Sequence, residues 1–237
     1  MDLSTLSLKF EKFWKSLSTP GIVDRLLLGL KNTFLIALIG FIVGFLLGSI
    51  LAIFKLLPQN KKIFKVLSKI TDVYVAIFRG TPIVVQLLVV YYFILPLIGL
   101  SASGLVVAEI VFGLNSAAYV CEIMRGGILS IDKGQMEAGR SLGLNYVKTM
   151  FHIVLPQAIK NILPTLGNEL ITLVKETSVV SFVGATDLFT AFSYIASKNY
   201  EYMIPYLMMA IVYIVVIVIL TLVIKAIERR LRASDRR

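Results

Sequence analysis

The sequence predicts an all-α membrane protein with about five transmembrane helices, and three observations carry that expectation. Of its 237 residues, 57% are hydrophobic and only 16% are charged, and the mean hydropathy is +0.86, a balance outside that of soluble domains. Residues 32–54, between Lys31 and Lys55, carry no charge, and neither do residues 202–224, between Glu201 and Lys225. Each window can cross a hydrocarbon core of about 30 Å, which needs roughly 20 helical residues. A third uncharged run, residues 80–108, is interrupted by Pro96, Gly99, Ser101, Ser103 and Gly104, a cluster that marks a turn between two helices.

Residues 1–24 read as an amino-terminal amphipathic helix or tail. Leu6, Phe10, Phe13, Trp14 and Leu17 recur at near-helical spacing among Lys9, Lys12 and Lys15. That pattern fits a helix at the membrane interface with its lysines reaching the headgroups; a flexible tail is the plainer alternative. Pro20-Gly21 breaks it. The first long apolar run starts near Thr33 and continues without a cleavage-like site, so it is expected to stay as a helix rather than be removed.

A membrane domain is expected over residues 25–228, with helices near 28–54, 81–98, 104–125, 161–183 and 203–227, followed by a basic tail, 229–237. In the first helix Gly40, Gly44 and Gly48 stand four apart, a small-residue face that lets another backbone approach closely. Packing within the subunit is the expected use of that face, with dimerisation the lesser alternative. The fourth segment carries Pro164, Gly167, Glu169, Lys175 and Glu176. Ionisable groups at membrane depth are costly and should face a cavity, a partner or one another.

The formal charge of +10 invites a nucleic-acid reading, which the placement of the basic residues excludes, because they sit at helix ends rather than on one patch. With the amino terminus outside and five crossings, most of the 24 lysines and arginines fall on the inner side, as the positive-inside rule asks. The single cysteine, Cys121, precludes an internal disulfide and disfavours a metal cluster. The single histidine, His152, gives little support to a membrane enzyme.

The most distinctive stretch is the polar island Gln135 to Pro156, with Glu137-Ala138-Gly139, then Gly143, Ile153, Leu155 and Pro156. A short helix is expected here, ended by Gly143, since glycine tolerates the left-handed conformation of a C-terminal cap. Pro156, without a backbone donor, is expected to open the next helix.

This spacing resembles the EAA loop of ABC-importer membrane subunits, the cytoplasmic coupling helix of the type I importer fold. Phe78-Arg79-Gly80-Thr81-Pro82 with Gln86, Glu122-Ile123-Met124-Arg125-Gly126-Gly127-Ile128 and Lys175-Glu176-Thr177-Ser178 are similar to strings of one branch, the polar amino-acid permeases. Gly139 departs from the second alanine of that pattern, and since glycine costs a helix about 1 kcal/mol relative to alanine, a looser helix is expected. The resemblance covers roughly residues 25–228. It implies a multi-pass permease of a bacterial inner membrane, amino terminus outside and carboxy terminus cytoplasmic. Its implied partners are two ABC ATPase subunits, a second permease subunit (a second copy or a close relative), an extracytoplasmic amino-acid-binding protein and membrane lipid.

On that resemblance the chain is not an enzyme and needs no cofactor of its own; ATP and Mg belong to the partner ATPase. The nearest approach to a phosphate loop, Gly143 to Thr149, lacks a glycine before Lys148. The residues implied to couple to the ATPase are Glu137, Ala138, Gly139, Gly143, Leu155 and Pro156, with residues 132–156 as the coupling loop. Asn115, Tyr119 and Glu122, four and three apart, share one helical face. With Glu169, Thr172 and Glu176 they are the expected substrate-binding set, their carboxylates favouring a cationic amino acid such as arginine, lysine or histidine. Two alternatives stand beside this: Glu122 paired to Arg125 three residues on, and an ion-gradient-driven transporter or channel using the intramembrane carboxylates.

Overall fold

A computed structural model describes residues 3–57 and 60–233. The last four residues of the basic tail, with Arg236 and Arg237, lie outside them, as do residues 1–2 and 58–59. The described residues form helices joined by short turns, with no strand: α1 Leu3–Leu17, α2 Ile22–Leu56, α3 Lys62–Gly80, α4 Ile83–Val89, α5 Leu95–Leu97, α6 Gly104–Leu129, α7 Lys133–Ser141, α8 Tyr146–Thr149, α9 Leu155–Glu176, α10 Leu188–Asn199 and α11 Met203–Ala233. Among them α2, α6 and α11 are each long and apolar enough to cross a membrane, and up to five spans result if each of two broken helix pairs counts as one. The chain forms two compact units, one from Met1–Gly40, Pro82–Phe112 and Leu173–Ile219, the other from Phe41–Thr81, Gly113–Thr172 and Leu220–Arg237.

In the first unit, α1 is a docked element. Phe13 is buried with Ile22, Leu188, Phe192, Ile195 and Ile204, and Leu6, Phe10 and Leu17 pack against that cluster, while Trp14 stays exposed. The amphipathic pattern was therefore legible, but its apolar face covers protein rather than lipid. Lys9 turns to Glu201, 3.0 Å away. That hydrogen bond holds the Glu201 carboxyl below its usual range, so the tie survives mild acid and is lost as pH falls through the lowered value. Asp187 caps α10, accepting from Thr190 N at 2.9 Å and Phe189 N at 3.1 Å, the usual remedy for unpaired donors at a helix start. Asn32 donates to the Thr186 carbonyl at 2.7 Å, and Thr33 Oγ1 accepts from Leu188 N at 3.1 Å, so two polar side chains of α2 hold this turn.

In the second unit the glycines of α2 meet α6. A Cβ on Gly44 would stand 2.6 Å from Ser116 Cβ, and one on Gly48 2.7 Å from the Ala117 carbonyl oxygen. Packing within the subunit is thus the observed use of these two positions. The helix α3 was not anticipated. Its Lys62, Lys65, Lys69, Asp72 and Arg79 recur every few residues and break any apolar window, yet Ile63, Val66, Ile70, Val73 and Ile77 form one exposed stripe while Thr71 and Val75 are buried. Tyr74 Oη donates to the Leu114 carbonyl at 2.6 Å, fixing α3 to α6. Thr81, before Pro82, is extended at φ −125°, ψ 143°, as steric clash with a following proline demands.

Pro156 corrects an expectation. It does not open a helix. The helix starts ten residues earlier, where Asn145 caps α8 by accepting from Lys148 N at 2.9 Å, and runs through a π-turn, Met150–Val154, into α9. Leu155 N donates to the carbonyl of Met150, five residues back. The wider turn shifts the hydrogen-bond ladder just where proline has no donor to give. The same device precedes Pro96, where Leu95 N donates to Val90 O.

Because the α2–α6 contact has no room for a side chain, Gly44→Val is expected to lower thermal stability in detergent. Overpacking of this kind costs about 1–3 kcal/mol. Gly80→Ala, where an added Cβ meets nothing within 4 Å, is the matched control.

Candidate functional site

Two candidate sites emerge, a capped polar helix and a charged face, both within the second unit. The capped helix is α7. Asp132 caps its start, accepting from Gly134 N at 2.6 Å. At its end Gly143 has φ +83°, Gly143 N donates to Arg140 O at 3.0 Å and Leu144 N to Gly139 O at 3.2 Å. Those two bonds with a left-handed glycine form a Schellman cap, so the expected role of Gly143 as helix terminator is observed. Gly139, expected to loosen α7, instead seats it. It is buried, and a Cβ there would collide with Thr149 Cγ2 and stand 2.9 Å from Ile153 Cδ1. Gln157 Nε2 bridges back to Gln135 Oε1 at 3.0 Å, and Asn161 Nδ2 to Ser130 Oγ at 3.0 Å. The helix is thereby fastened to α8 and α9 along its length.

What α7 leaves outward is equally informative. Glu137, Ala138 and Arg140 are exposed, and so are Leu142 at 81%, Phe151 at 61% and Val147 at 59%. Large apolar side chains thus stand exposed around a polar, capped helix. Leu155, half-buried, and Pro156, exposed, belong to the helix after the π-turn. Leu142, Val147 and Phe151 were missed by sequence reasoning, although an apolar residue directly before a helix-ending glycine was a readable signal.

The charged face gathers around Glu122 of α6. Its carboxylate accepts from Lys55 Nζ at 2.7 Å and from Arg125 Nη2 at 2.8 Å, Arg79 Nη1 lies 3.9 Å away, and Lys55 also pairs with Asp72 at 2.9 Å. The Arg125 pairing anticipated from sequence is present, and two unanticipated cations join it. Lys55 and Asp72 were invisible as partners because 67 and 50 residues separate them from Glu122. Asn115 Nδ2 donates to the Phe78 carbonyl at 3.3 Å, and the Arg79 guanidinium lies 5.4 Å from the Tyr119 ring centroid. Glu169, 9% exposed, accepts from Ser116 Oγ at 3.0 Å. Thr172 and Glu176 are half-buried farther along the chain. Of the expected substrate set, then, Asn115 and Glu122 are engaged by this chain's own groups, and Tyr119 presents a partly exposed ring beside a cation. Among the described residues no group of three or more His, Cys, Asp or Glu side chains is placed to hold a metal.

Residues 44–233 match the family of binding-protein-dependent transport system inner membrane components, and the chain belongs to that family. Within it, the chain is a permease subunit of the amino-acid ABC transporters. It is 40% identical over 213 residues, 90% of this chain and 95% of the relative, to the arginine transport system permease protein ArtQ of Bacillus subtilis (strain 168). To a Rickettsia bellii protein named for glutamine transport it is 37% identical over 213 residues, 90% and 94% of the two chains. To the L-cystine transport system permease protein TcyB of B. subtilis it is 38% identical over 191 residues, 80% and 81%. Among solved structures, an amino acid ABC transporter with histidines matches 97% of this chain and 99% of its own at 33% identity, with a TM-score of 0.79.

Removing one partner of a half-buried ion pair leaves the other poorly compensated. Glu122→Gln, which leaves Arg125 without its carboxylate while Lys55 keeps Asp72, is therefore expected to lower thermal stability in detergent more than Glu122→Met/Arg125→Met, which removes that pair together. Equal loss in the two variants would mean the cluster is solvated and loosely held.

Proposed function

We propose that this permease forms the translocation pathway of an ATP-driven importer of a polar, cationic amino acid. The single observation that carries the ATP-driven part is α7: a helix rigidly capped, seated through Gly139 on Thr149 and Ile153, and ringed by exposed Leu142, Val147 and Phe151. Two copies of the chain, each holding one ATPase subunit on α7, make up the core of the importer, with an extracytoplasmic binding protein delivering substrate. ATP and Mg sit in the ATPase. Closure of the ATPases draws the two α7 helices together, α8 and α9 follow because they are packed against α7, and the pathway opens outward.

The orientation that fits this places the amino terminus outside and α7 and the carboxy terminus in the cytoplasm, with the basic residues of α3, α7 and the end of α11 on the inner side. Residues 25–228 then act as the membrane domain and 132–156 as its coupling loop.

For the substrate, similarity to an arginine permease and the carboxylates of α9 support a cationic amino acid, while relatives named for glutamine and cystine show that the family alone does not fix it. The geometry shifts the expected roles within the set. Glu122 already balances Lys55 and Arg125, so a substrate cation would have to displace one of them. Glu169, which accepts from Ser116 Oγ at 3.0 Å, is the proposed counter-charge, with Asn115, Tyr119 and Thr172 as polar lining; Glu176 stays an expected member of the set farther along the chain.

Leu142 is exposed, so Leu142→Asp leaves the fold intact while placing a charge on the docking surface. Copurification of the ATPase and ATP-dependent uptake in proteoliposomes are expected to fall at least about tenfold, which a loss of 1.4 kcal/mol suffices to produce. Undiminished copurification would mean α7 is not the docking element. Glu169→Gln is expected to weaken uptake of labelled arginine or lysine with the complex still assembled; equal uptake by this variant, or a wild-type preference for glutamate, would overturn the cationic assignment.

A further inference from the structure

In the first unit, away from α7 and the charged face, the turn between α1 and α2 and one side of α10 enclose a cleft of about 430 Å³ lined by Pro20, Gly21, Asp24, Arg25, Leu28, Thr186, Tyr194 and Lys198 among others. Its polar chemistry is incomplete. Arg25 Nε is buried without a hydrogen-bond partner, and its guanidinium lies 4.1 Å from the Tyr194 ring centroid, a face that orients a cation but supplies no acceptor. Lys198 is exposed at the same cleft. Among the described residues no carboxylate comes within ion-pair distance of either cation.

The position along α2 says what reaches this cleft. The helix has 35 residues, a length of about 52 Å at 1.5 Å per residue, whereas the hydrocarbon core is about 30 Å and the bilayer with headgroups about 40–45 Å. If the charge-free window 32–54 occupies the core, Arg25 stands about 10 Å beyond its edge, within a side chain's reach of the headgroup phosphates. On the core side of Arg25, Leu27 and Leu28 are exposed, at 59% and 48%, apolar surface at the base of the headgroup layer.

We propose that this cleft is a phospholipid site, in which Arg25 and Lys198 hold the phosphodiester of one headgroup, Asp24 takes the headgroup's hydroxyl or ammonium end, and Leu28 meets the acyl chains. A guanidinium presents its N–H donors in a fork matched to phosphate oxygens, and each basic side chain at a membrane surface is worth about 1 kcal/mol toward an anionic lipid, about a fivefold change in affinity. The lipid would also brace α10 against α2, since both border the cleft. This rests on the chain being a membrane protein and not on its substrate.

The test is native mass spectrometry of the full-length protein, purified in mild detergent and titrated with phosphatidylglycerol. Wild type is expected to retain one lipid more tightly than the rest. Lys198→Gln, an exposed change that leaves the core untouched, should weaken that binding about fivefold, and Arg25→Gln/Lys198→Gln about twentyfold or more. Unchanged retention in Lys198→Gln would overturn the proposal. So would displacement of the lipid by soluble glycerol phosphate at equal concentration, which would make the cleft a site for free anions.

Discussion

The structure depends first on where its charges can be neutralised. Glu122 sits in α6, a helix apolar enough to cross a membrane, and a lone carboxylate at such depth is costly. Lys55 from the end of α2, Arg125 from its own helix and Arg79 from the end of α3 converge on it, and Asp72 shares Lys55. One carboxylate thus pins three helices at one level of the second unit. The close approach of Gly44 and Gly48 to α6 brings α2 near enough for Lys55 to arrive, so backbone packing and charge pairing require each other. Below this level Ala52, Val75, Ala118 and Cys121 close into an apolar cluster, which makes the lone cysteine a small core side chain.

A second constraint acts on α7. A nine-residue helix is too short to be stable alone, and it is held by its ends and by one face: Asp132 and Gly143 satisfy its termini, Gly139 lets it lie on Thr149 and Ile153, and Gln135 reaches Gln157. Motion imposed on α7 therefore moves α8 and, through the π-turn, α9. In the proposed importer that is the mechanical link between ATP and the polar groups of α9. The same rigidity argues against the ion-gradient alternative, in which α7 would have no work, as does membership of the binding-protein-dependent family. Of the carboxylates that suggested a proton relay, Glu122 is paired with cations and Glu169 accepts from Ser116.

How much of this was legible follows from the range of each interaction. The apolar windows of α2 and α11, the glycine stop after α7 and the amphipathic pattern of α1 are local, and each was readable. The helix α3 was not, because a charge every few residues hides a stripe, Ile63 to Ile77, whose regularity shows only on a helical projection. The start of the α8–α9 segment was misplaced because Pro156 signals a helix start unless a π-turn absorbs it, and a π-turn has no sequence signature of its own. The Arg125 partner of Glu122 lies three residues away and was foreseen; Lys55 and Asp72 come from other helices and could not be. Gly139 was read by propensity alone, as a weakness, whereas its neighbours across the loop make the missing Cβ a condition of packing.

The central claim is that substrate movement is powered through α7 by ATP and not by an ion gradient. Reconstituting the permease with its ATPase and binding protein in proteoliposomes, and measuring accumulation of labelled arginine with ionophores present, tests it most directly. The account predicts accumulation that requires ATP, requires the binding protein and persists when all ion gradients are collapsed. Accumulation that proceeds without ATP and disappears with the gradients would contradict it.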